Sequence, residues 1–306
     1  MTTVIELVEA GAKQLAEAGV AFGHGTDNAF DEAAWLVLWR LGHALDALDE
    51  VAELSVIPAD EAAVEALITQ RISTRQPAAY LTGEAWLQGV PFTVDARVIV
   101  PRSLIAEPLA DGNIDTWLGP HTRRVLDLCT GNGSLAVLAA MAWPNALVDA
   151  ADLSTDALAV AQLNLQRHGL TERIQLHAGD GLAAVAGRRY DLILCNPPYV
   201  NRQSMADLPD EFRCEPALAL DGNAAGSDDG MDFIRRLLQD AHLHMTEHAV
   251  LVLEIGHERA HFETAFPRLN PVWLPTSAGD DQVLLLSRAA LTALPAPTPH
   301  RTQATP

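Results

Sequence analysis

A chain of 306 residues holding 40 acidic against 20 basic residues carries a net charge of −20. Its basic residues are scattered, paired only at Arg123-Arg124, Arg188-Arg189 and Arg235-Arg236. That balance speaks against a protein that tracks a phosphate backbone, which needs a basic surface; it serves either solubility or attraction to a basic protein partner. No apolar run approaches the ~20 residues of a membrane span, so no membrane association is expected. Cys129, Cys195 and Cys214 have no paired spacing and residues 1–6 do not read as a signal peptide, which predicts a reducing, cytoplasmic setting. The length predicts one large domain with a smaller one beside it.

Residues 3–75 read as helices. Val4, Leu7, Val8, Ala12 and Leu15 recur at helical spacing, as do Ala33, Trp35, Leu36, Leu38 and Leu41, and then Val64, Leu67, Ile68 and Ile72. Gly23-His24-Gly25 and Pro58 supply breaks, and Asp27 and Asp60 are the expected N-caps. From Ala78 the pattern changes. Tyr80 to Glu84, Ala85-Trp86-Leu87, Gln88-Gly89 and Pro91 to Asp95 form short aromatic segments around a glycine, which predicts a β-hairpin joining two parts of the chain. The domain boundaries expected are a helical unit at 1–77, a hairpin linker at 78–102, an α/β domain at 103–292 and a disordered tail rich in proline and threonine at 293–306.

The α/β part opens with a helix near Leu104 to Ala110 and then alternates strands and helices, the mark of a mostly parallel sheet. Strands are expected near 123–129, 147–152, 173–177, 190–195, 249–255, 282–287 and, more weakly patterned, 271–274. Two of their carboxyl ends carry motifs. Val125 to Leu128 runs into Cys129-Thr130-Gly131-Asn132-Gly133 and a helical pattern from Leu135, the strand, glycine turn and helix start by which backbone amides meet nucleotide-like ligands. Asp152 ends the next strand at the spacing of a carboxylate that accepts ribose hydroxyls; the spacing alone leaves a dinucleotide open. Ser154 is the expected cap of the following helix.

The second motif is Asn196-Pro197-Pro198-Tyr199, directly behind the apolar run Tyr190 to Cys195. Two prolines have no amide hydrogen and a locked φ, so the strand stops there and presents an amide side chain, free carbonyls and an aromatic ring. Ligands in open sheets collect beyond strand carboxyl ends, so both motifs can face one pocket. Residues 201–232 read as a long loop or lid with short helical turns. His242, His244, Glu247 and His248 lack metalloprotease spacing and run into a strand, so no metal site is predicted.

Together the glycine turn, the ribose acid and the tetrad resemble the S-adenosylmethionine-dependent methyltransferases that modify planar nitrogens. Tyr80 to Glu84 with Trp86, Gly89, Phe92, Val94 and Val100-Pro101-Arg102, then Glu215 to Leu220, then Leu253 to His257, look like the bacterial protein N(5)-glutamine methyltransferases, the HemK/Prm group, over about residues 30 to 290. Ser103, Cys129 and Asp207 to Phe212 resemble the branch acting on the third large-subunit ribosomal protein more than the release-factor branch. The resemblance implies a Rossmann-like, seven-stranded class I methyltransferase domain, S-adenosylmethionine as cofactor, and an N-terminal unit that recognises a basic protein substrate. It places Cys129 to Gly133 near the methionine part of the cofactor, Asp152 on the ribose and Asp180 near the adenine, with Asp127 and Asn196 also binding the cofactor, although Asp180 also reads as a helix N-cap. Asn196 and Pro197 would hold the substrate amide, with Pro198 shaping the turn and Tyr199 packing on the planar group. The rival readings are the same chemistry on a release factor, adenine-N(6) methylation of nucleic acid, and an inactive assembly-binding factor.

Overall fold

The computed structural model describes residues 1–119 and 122–294; most of the expected tail lies outside them. Helices α1 (Val4–Glu17), α2 (Ala29–Leu41), α3 (Leu48–Val51) and α4 (Pro58–Thr74) form the N-terminal unit. Val8, Leu15, Leu36, Leu38, Val64 and Ile68 are buried together in its core. Thr3 closes a capping box with Glu6 at the start of α1. Two expected caps fall elsewhere. Asn28 rather than Asp27 caps α2, its side chain accepting from the Asp31 amide. In α4 Pro58 occupies the first turn behind Ile57, so Asp60 lies inside the helix, where a carboxylate complements the N-terminal dipole without capping.

The linker also departs from expectation. Ala78–Thr82 is a short helix, α5, begun after Pro77 and ended by Gly83 in the left-handed region. The hairpin proper is β1 (Glu84–Leu87) paired antiparallel with β2 (Val90–Thr93). Helix α6 (Ala106–Ala110) follows, and then the sheet domain: β3 (Arg124–Leu128), α7 (Ser134–Ala142), β4 (Leu147–Asp152), α8 (Thr155–Arg167), β5 (Ile174–Ala178), β6 (Tyr190–Cys195), α9 (Arg202–Ala206), α10 (Asp210–Arg213), α11 (Asp232–Asp240), β7 (Met245–Glu254), α12 (Arg259–Ala265), β8 (Val272–Thr276) and β9 (Gly279–Ser287), with α13 (Arg288–Thr292) closing the described chain.

The sheet runs β5-β4-β3-β6-β7-β9-β8. Strands β5 through β7 are parallel, and β9 enters antiparallel between β7 and β8. The fold is a seven-stranded α/β sheet of the Rossmann type with an apolar core on each face. Strand order reverses between β3 and β6, so the crevice at their carboxyl ends is the switch point. His244 precedes β7 and His248 lies within it, as the run into a strand predicted.

The helical unit is fastened to the sheet domain by charge. Arg71, fully buried, donates to Glu32 at 2.7 Å and to the Ala21 carbonyl at 3.1 Å, and lies 3.6 Å from Glu211 of α10. Arg75 reaches the same Glu211 at 3.2 Å. Removing one partner of a buried pair strands the others without counter-charge, a loss of about 3–5 kcal/mol. Arg71→Met, which keeps volume and deletes charge, is therefore expected to lower unfolding stability by that amount in urea denaturation, far more than Lys13→Met on the exposed face of α1.

Candidate functional site

The site is built on a turn that enters the left-handed region at three positions. Cys129, Gly131 and Gly133 have φ of 61°, 55° and 81°, and the left-handed value at Cys129 costs a non-glycine residue about 1–2 kcal/mol, strain of the kind that gathers at functional sites. A Cβ on Gly133 would lie 3.2 Å from Ala161 of α8, whereas one on Gly131 would meet nothing within 4 Å. The turn thus packs tightly behind and faces open space in front. Asp127, wholly buried beneath it, accepts from the Thr130 hydroxyl and, at 3.0 Å, from the Ala136 amide. Burial pushes its carboxyl up to about 7 against those two hydrogen bonds. Asp152 accepts from the Gly131 amide at 2.9 Å and the Ser154 amide at 2.8 Å, and burial raises its pKa. Ser154 caps α8 through the Ala157 amide.

In front of the turn lies a cavity of about 150 Å³, partly open to solvent. Cys129, Gly131, Asp152, Asp180, Asn196 and Pro198 all line it. The register explains why the two motifs meet: Leu128 pairs with Cys195 on the adjacent strand, so the glycine turn and Asn196 leave the sheet side by side. Thr130 and Asn132 are buried behind the wall, with Asp127, Gly133 and Pro197 also off it. Asp127 Oδ1 and Asn132 Nδ2 find no hydrogen-bond partner among the described residues. Asp180 precedes a 3₁₀ turn but caps nothing; its carboxylate pairs with Arg236 of α11 at 2.8 Å. Tyr199 is turned away, its hydroxyl donating to Glu254 at 3.3 Å and its ring covering Gly256.

Residues 113–222, which span both motifs, match the family described as the methyltransferase small domain. The chain is 51% identical to the ribosomal protein uL3 glutamine methyltransferase of Bordetella pertussis, covering 95% of this chain and 97% of that one. It is 50% identical to the enzyme of the same name from Burkholderia pseudomallei, with 95% and 96% covered, and 44% identical to that of Neisseria gonorrhoeae, again over 95% and 96%. The chain belongs to the ribosomal protein uL3 glutamine methyltransferase family.

For a member of that family the cavity contains walls that the sequence pattern did not single out. Phe233 and Arg236 come from α11, one turn apart, and Arg97 to Ile99 from the linker. The apolar spacing of Phe233, Ile234, Leu237 and Leu238 would have revealed the helix, but nothing local reveals that it turns Phe233 toward Gly181, whose Cβ position is 3.5 Å from the ring. Asn164 of α8 was also missed. Fully buried, it bonds the Thr93 amide at 2.7 Å, the Thr93 carbonyl at 3.0 Å and the Asn132 carbonyl at 2.9 Å. It therefore ties the hairpin to the glycine turn.

The wall after the tetrad is set by Glu215, 4% exposed. Its carboxylate takes two bonds from Arg102, at 2.6 and 2.7 Å, and one from the Val100 amide at 2.8 Å. Burial alone would push this carboxyl up, but the Arg102 guanidinium beside it wins and holds it at about 2. A depressed carboxylate contributes stability that is full above the unfolded value near 4.5 and lost as pH falls through 2. The wild-type chain should lose about 3 kcal/mol across that window from this group. Glu215→Gln should be less stable at neutral pH and should show a shallower decline between pH 4.5 and 2, read from urea midpoints at each pH.

Proposed function

We propose that the chain transfers a methyl group from S-adenosylmethionine to the side-chain amide nitrogen of a glutamine in the large-subunit ribosomal protein uL3. The observation that carries this reading is the meeting of Asn196 and Pro198 with the glycine turn and Asp152 on one cavity. The names borne by the relatives point to the same substrate.

The residues present suit the cofactor. Open space over Gly131 leaves backbone free to approach a ligand, Asp152 offers a carboxylate to a ribose diol, and Phe233 and Leu218 add apolar lining to the cavity that Asp180 also lines. When bound, the cofactor supplies an electrophilic methyl on a sulfonium. An amide nitrogen is a poor nucleophile because its lone pair is delocalised, so the protein's task is orientation and electrostatics. The Asn196 side-chain oxygen and the Pro197 carbonyl would accept the two N–H bonds, aiming the lone pair; Tyr199, turned to Glu254, does not reach the planar group, contrary to the expectation from sequence. The nitrogen then sheds a proton to a carbonyl oxygen or water, which requires no strong base.

The charge of −20 favours a basic protein and disfavours ribosomal RNA. Exposed Glu6, Glu9, Asp49, Glu50 and Glu53 place much of that charge on the N-terminal unit, which would recognise the substrate. A cytoplasmic setting follows from such a substrate, and among the described residues no helix is long and apolar enough to cross a membrane.

Intact-mass spectrometry after incubation with S-adenosylmethionine tests the reading on purified uL3 and on a class-one release factor. A one-methyl gain on uL3 alone is expected, with the rate reduced roughly 100-fold or more in Asn196→Ala. A gain on the release factor alone would overturn the substrate; no gain on either would overturn the chemistry. Free uL3, or an early assembly intermediate, should be methylated and the finished ribosome should not, and equal initial rates on both would contradict the charge argument.

A further inference from the structure

Glu254 joins the tetrad to a segment that the reading above leaves without a task. It closes β7 one residue beyond Leu253, which pairs with Cys195 at the root of the tetrad. Its side chain is buried, 4% exposed. Oε2 accepts from the Ser103 hydroxyl at 2.6 Å and the Leu104 amide at 2.9 Å, and Oε1 accepts from the Tyr199 hydroxyl at 3.3 Å. A carboxylate is planar and rigid, so two donors on one oxygen fix where the other points.

The Tyr199 ring has little freedom elsewhere. A Cβ on Gly256 would come within 2.6 Å of its Cε2, and one on Gly230 within 2.1 Å of its carbonyl oxygen. Between Tyr199 and Asn196 stand two prolines whose locked φ values make the turn a stiff lever. With two of its φ angles locked, the turn has less backbone freedom to absorb a shift at the hydroxyl before it reaches the amide side chain on the cavity wall.

We propose that Ser103 and Glu254 are positioning residues for methyl transfer, acting through the Tyr199 hydroxyl to fix the Asn196 to Pro198 turn against the substrate amide. This rests on the assignment of the tetrad as the substrate clamp. Misplacing a reacting group by about 1 Å can cost up to 100-fold, so a loosened turn should slow the chemical step while leaving binding nearly intact.

A double-mutant cycle in single-turnover methylation of uL3 tests it. Ser103→Ala and Tyr199→Phe each remove a single oxygen from a packed side chain, so both proteins should fold, which thermal denaturation checks. Each is expected to lower the rate roughly ten-fold at saturating substrate, with substrate KM and cofactor affinity near wild type. The double variant should be no slower than the slower single one, because both changes cut one chain. Losses that multiply, a loss confined to KM, or a Ser103→Ala enzyme with wild-type rate would overturn the proposal. Asn196→Ala separates the two levels: full activity there would remove the clamp and this inference with it, whereas an inactive Asn196→Ala alongside a multiplicative cycle would remove the positioning role alone.

Discussion

The arrangement of the substrate side depends on keeping the Glu215 charge out of water. Moving a carboxylate inside costs several kcal/mol, and only excellent geometry offsets it. Here Arg102 meets it fork to fork, the strongest form of such a pair, and the Val100 amide takes a further lone pair. A buried pair adds little net stability over an apolar replacement, yet losing one partner is severely penalised. The segment leading out of the hairpin therefore cannot slide relative to the segment after the tetrad. Because Pro216, Leu218 and Ala219 follow Glu215 directly onto the cavity wall, the position of one ion pair fixes the position of that wall. Glu211 repeats the device one turn earlier toward Arg71 and Arg75, and His24 stands 3.6 Å from Glu215, so the helical unit is held by the same short segment.

Beneath the cavity the constraint is steric and hydrogen-bonded. Parallel strands β3 and β6 deliver the glycine turn and the tetrad side by side because their register places Leu128 opposite Cys195. Asp127 then holds the turn from below through Thr130 and Ala136, and Asn164 holds it from the side through the Asn132 carbonyl. The turn is thus fixed on two sides while its third side is left open over Gly131. Preorganisation of this kind suits a reaction whose barrier is met by orientation more than by acid or base strength.

What the sequence revealed was whatever each stretch determines by itself. Seven strands, the glycine turn and the double-proline stop follow from local pattern, and all sit where that pattern puts them. The failures are of two kinds, local and long-range, the local ones arising in two ways. Where two adjacent residues could serve, local chemistry does not choose: Asn28 displaces Asp27 as a cap because its side chain reaches the Asp31 amide. Where a stretch is short, its frame decides: Tyr80 favours a strand by type, yet Pro77 and Gly83 bracket a single helical turn and its hydroxyl reaches the Val98 carbonyl. The second kind is long-range. Asn164, Glu211, Phe233 and Arg236 owe their positions to elements tens of residues away, and no spacing along the chain announces that they converge.

The electrostatics of the cavity bear on a question that the glycine spacing left open. A dinucleotide's pyrophosphate is favoured by free positive charge as well as by a helix start, and here α7 supplies only the helix start. Both arginines at the wall are already neutralised, Arg236 by Asp180 and Arg97 by Asp95. The remaining carboxylates there are those of Asp152 and Asp221, so the field inside is set by carboxylates. Such a field is unfavourable to phosphate and favourable to a cation. A sulfonium is a cation, and the neutral amide of a glutamine carries no charge to be repelled. The sign of the cavity thus suits the proposed pair of ligands better than a phosphate-bearing one.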